Sequence, residues 1–426
     1  MIRRTLLAAS AAAVALAGTT VPAQADYVHP TVVSEVAATF TPHLVNVSGQ
    51  PKPIAFAIAE AGSEMVVGGR FTQVENSKRT LPYNRSNVFA FDATTGAIDP
   101  NFKPVVDGDV WSVLSDGTSV YIGGEFKNVN GTPRAALAKL DLATGQLDPN
   151  FNPTFTGKRI SDMEMRGDQL IVSGTVTPKL ISLNPVTGKP TQYLRPVVGG
   201  RLANSDNPAV FKFDISPDGQ HLVAVGNFLT VNGADHPRVF MMDLDDNGSS
   251  LTSWNYDSLA LKCTSNRRNA QAYVQDVAFS PDSSWFALAS FGYMYQSGYR
   301  GNMICDSVSR FETADLDPFR PTWINYTGGD SLKSVAVTGA AVYVQGHSRW
   351  LDNPYGQDSK GPGAVDRMGG GAVDPTTGMA LAWNPNMPQQ RGGYQILPTA
   401  TGVWFATDGA RWGGKYHRGI RFAPLP

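Results

Sequence analysis

Residues 121–153 read YIGGEFKNVNGTPRAALAKLDLATGQLDPNFNP, and parts of this phrase stand earlier in the chain. VVGGRF occupies residues 66–71, and VFAFDATTGAIDPNFKP occupies residues 88–104. Both copies contain an apolar run that ends near a glycine pair, a second apolar run, a Thr-Gly turn and a tail with the letters DPNF. A phrase that returns after about 50 residues indicates an internal structural repeat.

Seven apolar runs of this kind follow one another along the chain, and each ends near a small residue. They occupy residues 64–71, 119–126, 169–176, 221–228, 285–292, 341–348 and 402–409. Turn-forming residues precede each run, and a second tight turn such as DATTG (92–96) follows the next apolar run in most units. Such residues between apolar runs make β-hairpins. The repeat therefore predicts seven units of four strands.

Packing explains why such units would come in a ring. A four-stranded sheet exposes two apolar faces and two edges, whereas seven sheets packed around an axis bury those faces. The chain ends in GIRFAPLP (419–426), which matches a third strand without a fourth, and ATFTPHLVNVSG (38–49) resembles a fourth strand. We predict an all-β, seven-bladed β-propeller of four-stranded antiparallel blades. An N-terminal strand should close it by pairing with the C-terminal blade near Arg421 and Phe422.

The segment 123–153 resembles the delta-sixty type of bacterial β-propeller repeat. The resemblance lies in its Gly-Gly-x-Phe, Asn-Gly, Arg, Leu-Asp and Leu-Asp-x-x-Phe landmarks. It is close in units one and two, fair in unit four and loose in the others. The resemblance implies a secreted propeller and assigns no catalytic residues to this chain.

The first residues, MIRRTLLAASAAAVALAGTTVPAQAD, combine a basic start, a short apolar core and Ala-Gln-Ala at 23–25. This is the pattern of a cleavable export signal. We expect residues 1–25 to be removed after Ala25 and residues 26–426 to form a single secreted propeller domain. Arg3 and Arg4 leave both the general and the twin-arginine export routes open.

Charge and hydropathy limit the classes of partner that the sequence favours. The formal net charge is −1, which argues against nucleic acid or an anionic membrane as the main partner. No stretch after the signal has the length and apolarity of a membrane helix. We expect a monomer without a cofactor and without membrane insertion.

The two cysteines, Cys263 and Cys305, are expected to form a structural disulfide in an oxidising compartment. Asp243 and Asp245 begin a D-x-D-x-N-G pattern that fits the first half of a calcium loop. The twelfth position is Trp254, where calcium needs a bidentate glutamate. We therefore predict no metal site.

Function is expected where the units differ, in the long loops of units five to seven. Loops from second to third strands and loops between units leave a propeller on the same face. These loops interleave aromatic side chains with arginine, a combination that suits a sugar ring or an acidic glycan. The predicted ligand-binding residues are Tyr293, Tyr295, Tyr299, Arg267, Arg349, Trp350, Arg411, Trp412, Tyr416 and His417.

The sequence thus favours a secreted, non-catalytic binding module for a glycan or a cell-surface polymer. One alternative is an extracellular enzyme on the same face, either a polysaccharide hydrolase or lyase or a quinone-type oxidoreductase, because the fold does not decide the chemistry. A glycosidase needs two carboxylates about 5–9 Å apart. The candidates are Asp109, Asp162, Asp276 and Asp330. A further alternative is a structural surface or matrix protein.

Overall fold

The chain folds almost entirely into strands and turns. The computed structural model describes residues 27–201, 205–261, 263, 272–292, 303–314, 319–388 and 392–426. Its one helix in these ranges is the short 3-10 helix Asp257–Ala260. The all-β prediction is confirmed, whereas the predicted export signal and its cleavage site lie outside the described residues.

Within the described residues, seven main antiparallel sheets follow one another along the chain, each with three or four strands. Sheet 1 contains Ile54–Ala61, Glu64–Arg70 and Val88–Asp92; sheet 2 contains Asp109–Ser115, Ser119–Glu125 and Leu137–Asp141; sheet 3 contains Ile160–Arg166, Gln169–Gly174 and Leu180–Leu183; sheet 4 contains Ala209–Ile215, His221–Asn227, Val239–Leu244 and Ser249–Leu251; sheet 5 contains Tyr273–Phe279, Trp285–Phe291, Ser307–Glu312 and Trp323–Tyr326; sheet 6 contains Leu332–Val337, Val342–Gly346 and Gly370–Val373; sheet 7 contains Gly393–Thr399, Gly402–Thr407 and Ile420–Pro424.

Short strands form small additional ladders in the loops. They are His43–Leu44 with Gln73–Glu75 and Pro82–Asn84; Asn128–Val129 with Thr132–Pro133; Val198–Gly199 with Thr230–Val231 and Ala234–Asp235; Trp350–Leu351 with Val365–Asp366; and Arg411–Trp412 with Lys415–Tyr416.

Apolar cores lie between neighbouring sheets, so the strands are buried on both faces. Val88 of sheet 1 belongs to the same core as Val110 and Ile122 of sheet 2. Trp404 of sheet 7 shares a core with Ile58 of sheet 1. The first strand of each sheet contacts the first strand of the next sheet, and the first strand of sheet 7 contacts that of sheet 1. The contacts between first strands therefore run in a cycle.

The predicted fourth strand is present only in sheets 4 and 5. In sheets 1, 2, 3 and 6 the tail makes an isolated bridge instead, as between Phe91 and Ile98. Proline explains the difference for sheets 1, 2 and 3, because it has no N–H to donate to a ladder. Pro100, Pro149 and Pro190 stand in the tails of sheets 1, 2 and 3, whereas the fourth strands of sheets 4 and 5 contain no proline.

The N-terminal segment lies along the last strand of sheet 7. The N–H of Ala38 donates to the carbonyl of Phe422, and the N–H of Ser34 donates to that of Pro424, both at 2.8 Å. Neither Ser34 nor Ala38 lies in a strand, so the predicted strand pairing takes the form of separate backbone hydrogen bonds. The following strand, His43–Leu44, pairs with a loop hairpin next to sheet 1. The segment thereby links sheet 7 to sheet 1.

Cys263 and Cys305 are joined by a disulfide, with an S–S distance of 2.05 Å, so this prediction is confirmed. The bond ties the segment before sheet 5 to the start of the third strand of that sheet. None of the helical segments in the described ranges has the length and apolarity needed to cross a membrane.

Candidate functional site

Each of the seven first strands has a β-bulge near its start, where its register with the second strand shifts by one residue. A bulge leaves one residue unpaired and changes the direction of its side chain. The unpaired residues are Phe56, Trp111, Ser161, Phe211, Gln275, Lys333 and Tyr394.

Most second strands end at or next to a small residue, which packs against the backbone of the first strand next to this bulge. A Cβ atom added to Gly69 would lie 2.1 Å from the carbonyl oxygen of Ile54, and one added to Gly124 would lie 2.1 Å from that of Asp109. Side chains cannot fit at such distances, so glycine permits the close approach. Gly174 and Gly226 show the same contact.

All seven bulged side chains line one cavity of about 420 Å³, which we call the axial mouth. Its other lining residues are Arg159, Asp206, Lys212, Tyr273 and Phe291. A second cavity of about 180 Å³, the axial channel, lies between the first strands and is lined by residues from all seven sheets. The axial mouth is therefore the place where the repeated units jointly present different side chains.

An aromatic cluster forms one side of the axial mouth. The rings of Phe56 and Trp111 are stacked with their centroids 4.0 Å apart and an interplanar angle of 10°. Tyr394 packs edge-on against Phe56 at 4.8 Å. The guanidinium of Arg159 lies 4.3 Å from the centroid of the Trp111 ring. Stacked rings and a cation on a ring face hold this side in a defined arrangement.

A second aromatic pair belongs to sheet 5. Tyr273 and Phe291 are stacked with centroids 4.9 Å apart. The ammonium of Lys333 lies 4.3 Å from the Phe291 centroid and 3.4 Å from the Gln275 side-chain oxygen. The mouth therefore offers apolar ring surface and cationic groups on more than one sheet.

Two of the three cations that line the mouth form no ion pair with a described residue. Lys212 is the exception, because its ammonium lies 2.9 Å from a carboxylate oxygen of Asp162. Arg159 donates from Nε to the hydroxyl of Ser161 at 3.1 Å, and Lys333 meets only the neutral Gln275 oxygen. Burial lowers the pKa of both Arg159 and Lys333, although nearby carboxylates partly offset this effect. A nearby anion would relieve this cost.

Carboxylates of the first strands hold neighbouring first strands together. Asp162 accepts the backbone N–H of Phe213 at 3.1 Å. Asp276 accepts that of Val335 at 3.0 Å. Burial raises the pKa of Asp276 to about 7, although the neighbouring Lys212 partly offsets this effect. These two glycosidase candidates therefore have structural contacts.

The other two glycosidase candidates form ion pairs. Asp109 accepts hydrogen bonds from Arg70, including one of 2.9 Å from Nε. Asp330 is buried. Its carboxylate accepts a hydrogen bond from Nη2 of Arg349 at 2.8 Å and another from the backbone N–H of Arg349 at 2.9 Å. All four candidate carboxylates are thus engaged.

Four of the predicted ligand-binding residues, Arg267, Tyr293, Tyr295 and Tyr299, lie outside the described residues. The other six lie in two hairpins, one belonging to sheet 6 and one to sheet 7.

In the sheet 6 hairpin, Arg349 binds Asp330 and Asp358, and its guanidinium lies 4.3 Å from the centroid of the half-buried Trp350. These carboxylates raise the pKa of Arg349. Its charge is therefore already paired within the protein.

In the sheet 7 hairpin, Trp412 is a core residue that is only 2% exposed. Its ring packs against Phe405 with centroids 5.1 Å apart. His417 is buried as well, and burial lowers its pKa to about 4. Arg411 is exposed, and its Nη1 donates to the Gly414 carbonyl at 2.9 Å.

Tyr416, the last residue of the predicted set, is partly exposed. Its ring lies 4.2 Å from the guanidinium carbon of Arg79, which comes from a loop of sheet 1. The Tyr416 hydroxyl accepts a hydrogen bond from Nε of Arg418 at 3.2 Å. It therefore lies at a junction between the last and first units.

Sequence reasoning missed the bulged residues, including Trp111, Phe211 and Lys333. A usable signal was present, since an apolar residue precedes each of these and a small or charged residue follows, as in VWS (110–112), VFK (210–212) and LKS (332–334). Aligning the first strands, rather than the more regular second runs, would have placed these side chains at equivalent positions.

The repeated sheets, their cyclic contacts and the recurring bulge define a β-propeller repeat protein. Residues 114–151 match a family model described as a domain of unknown function (DUF5122) beta-propeller. No curated protein matches the chain. A solved structure that it resembles is the Cps50 (Swd1) beta-propeller domain of Myceliophteria thermophila, at 10% identity and a TM-score of 0.39, over 68% of this chain and 79% of that one.

Proposed function

We propose that the protein is a secreted, non-catalytic binding module that holds a glycan or cell-surface polymer at the axial mouth. In this proposal the seven sheets are the blades of a seven-bladed propeller, and the chain is exported by its N-terminal residues and cleaved after Ala25. The observation that carries the proposal is the convergence of seven bulged side chains on one cavity.

The size and chemistry of the mouth support a ligand site. Its volume of about 420 Å³ falls within the range of about 300–1,000 Å³ that is usual for ligand pockets. Aromatic faces suit the apolar side of a sugar ring, and charged or amide side chains suit its hydroxyl groups. The engagement of the four candidate carboxylates in ion pairs and backbone contacts favours binding over glycoside hydrolysis.

A binding screen tests this proposal. Glycans and cell-wall polymers are presented to the parent protein and to the Phe211→Ala/Tyr394→Ala variant, which removes two half-buried rings from the mouth. We expect the parent to bind and the variant to bind at least tenfold more weakly, while both melt at similar temperatures. Trp350→Ala is the matched control, because Trp350 is half-buried in a loop outside the mouth.

The outcomes separate the alternatives. Equal binding by the parent and the mouth variant would refute the mouth as the site. Binding by neither protein would favour a structural role. Release of a cleaved or oxidised product from the polymer would show an enzyme.

A further inference from the structure

We infer that the ligand of the axial mouth is a polyanionic glycan, with one oxyanion group bound by Arg159 and another by Lys333. The inference rests on the proposed function and deepens it by naming the ligand class. Carboxylate, sulfate and phosphate groups share the chemistry required, and the experiment below distinguishes them.

The guanidinium of Arg159 is held in a position suited to binding an anion through two oxygens of that anion. The Trp111 ring lies against its guanidinium, and its Nε is occupied by the Ser161 hydroxyl. The Nη groups form no hydrogen bond with a described residue. A guanidinium held in one plane presents these N–H groups as a fork, which matches two oxygens of one anion.

Lys333 is the bulged residue of sheet 6, and its ammonium has one neutral oxygen as its hydrogen-bond partner among the described residues. The Phe291 ring lies 4.3 Å away, which favours the cation but does not neutralise it. Asp306 attracts this ammonium but only partly offsets the cost of its burial. A partly buried ammonium that forms no ion pair with a described residue gains more from a bound anion than an exposed one does.

The remaining charges leave the mouth positive. Lys212 is paired with Asp162. Asp206 also lines the mouth, but it is exposed to solvent. The net positive lining favours anionic ligands over neutral ones, and a charge contact across this opening also increases the association rate.

The positions of the two cations indicate at least two anionic groups on the ligand. Arg159 directly precedes the first strand of sheet 3, and Lys333 lies in the first strand of sheet 6. Two first strands therefore lie between them in one direction around the cycle and three in the other. One small oxyanion is suited to a single cation. A ligand with repeated anionic groups can bind both.

The experiment measures the binding of the purified protein to dextran, polygalacturonate, dextran sulfate and phosphorylated dextran at two salt concentrations. We expect the acidic polymers to bind and dextran not to bind. The strongest of the three acidic polymers identifies the preferred oxyanion. Raising the salt concentration should weaken binding, because charge contacts dominate.

Variants then test the two cations. Arg159→Gln and Lys333→Met should each weaken binding to the preferred polymer by about tenfold or more. Arg159→Lys keeps the charge but loses the fork, so it should fall between the parent and Arg159→Gln. Lys78→Met is the matched control, because Lys78 is an exposed lysine in a loop next to sheet 1. Melting curves show whether each variant is folded.

Three outcomes of these binding measurements would contradict the inference, in whole or in part. If dextran binds as well as the acidic polymers and the cation variants keep the parent affinity, the proposed function stands and the inference falls. If only one of the two cation variants weakens binding, the requirement for two anionic groups is wrong. If no polymer binds, both the proposed function and the inference are refuted.

Discussion

The indole N–H of Trp412 donates a 2.6 Å hydrogen bond to the backbone carbonyl of Glu35, 377 positions earlier in the chain. The Trp412 ring is buried against Phe405 and Trp383. This contact fastens the N-terminal segment to sheet 7, in addition to the backbone bonds that Ser34 and Ala38 make with the last strand. It is a structural contact at the junction between the segment around residues 34–38 and sheet 7.

Trp412→Ala should therefore destabilise the protein strongly. Removal of a buried tryptophan costs about 3–5 kcal/mol, because apolar contacts are lost and a cavity remains. Trp412→Phe keeps a ring but loses the indole donor, so we expect a smaller loss of about 1–2 kcal/mol. Urea denaturation measures both. Trp350→Ala, at a half-buried position, should cost less than Trp412→Ala, and the opposite order would contradict the core role of Trp412.

The same junction should be sensitive to acid. His43 and His417 are buried with their ring centroids 5.8 Å apart. Burial lowers the pKa of each to about 4, and the nearby His417 contributes to the shift of His43. An unfolded histidine has a pKa of about 6.5. The unfolded chain therefore takes up protons first, and stability is lost as the pH falls from about 6.5 towards 4.

We predict that the double variant His43→Gln/His417→Gln loses less stability than the parent between pH 7.5 and pH 5. The difference should be about 2 kcal/mol per histidine, since each pKa unit corresponds to about 1.4 kcal/mol. Chemical denaturation at the two pH values measures it. His221→Gln is the control, because His221 pairs with Asp243 on a partly exposed surface. Parallel pH profiles for the parent and the double variant would refute the prediction.

The repeat could be predicted from sequence because its physical cause is local. Hairpin turns and the small residue at the end of the second run are needed in nearly every unit, and Gly69 and Gly124 mark the same close approach to a bulged first strand. The weak fourth strands could also have been anticipated, since Pro100 and Pro149 lack the N–H that a ladder requires.

The mouth does not follow from the pattern of the second runs, and finding it requires an alignment of the less regular first strands. A bulge changes the direction of one side chain, so Trp111 and Phe211 have the alternation of core residues but line a cavity. Trp412 is the opposite case. Its neighbours Arg411 and Gly413 indicate an exposed loop, and only the contact with Glu35, distant in sequence, explains its burial.

The disulfide offers a separate test of stability. Cys263 and Cys305 are separated by 42 positions, and both are buried in the core between sheets 4 and 5. Closing a loop of this length restricts the unfolded chain, which stabilises the fold by about 3–4 kcal/mol in the chain-entropy model. We predict a loss of this size for Cys263→Ala/Cys305→Ala. A reductant should lower the melting temperature of the parent and leave that of the variant unchanged, and an equal response of the two proteins would contradict the prediction.

Asp276 should give a pH dependence opposite to that of the histidines. Because burial raises its pKa to about 7 beside Lys212 and Asp162, the folded chain binds its proton more tightly than the unfolded chain, and this contribution to stability is lost as the pH rises through 7. Asp276→Asn can still accept the Val335 N–H without a charge. Its stability relative to the parent should therefore increase by about 2 kcal/mol between pH 5.5 and pH 8. Urea denaturation measures the difference, with the exposed Asp206→Asn as control, and a constant difference across this range would show that Asp276 does not titrate there.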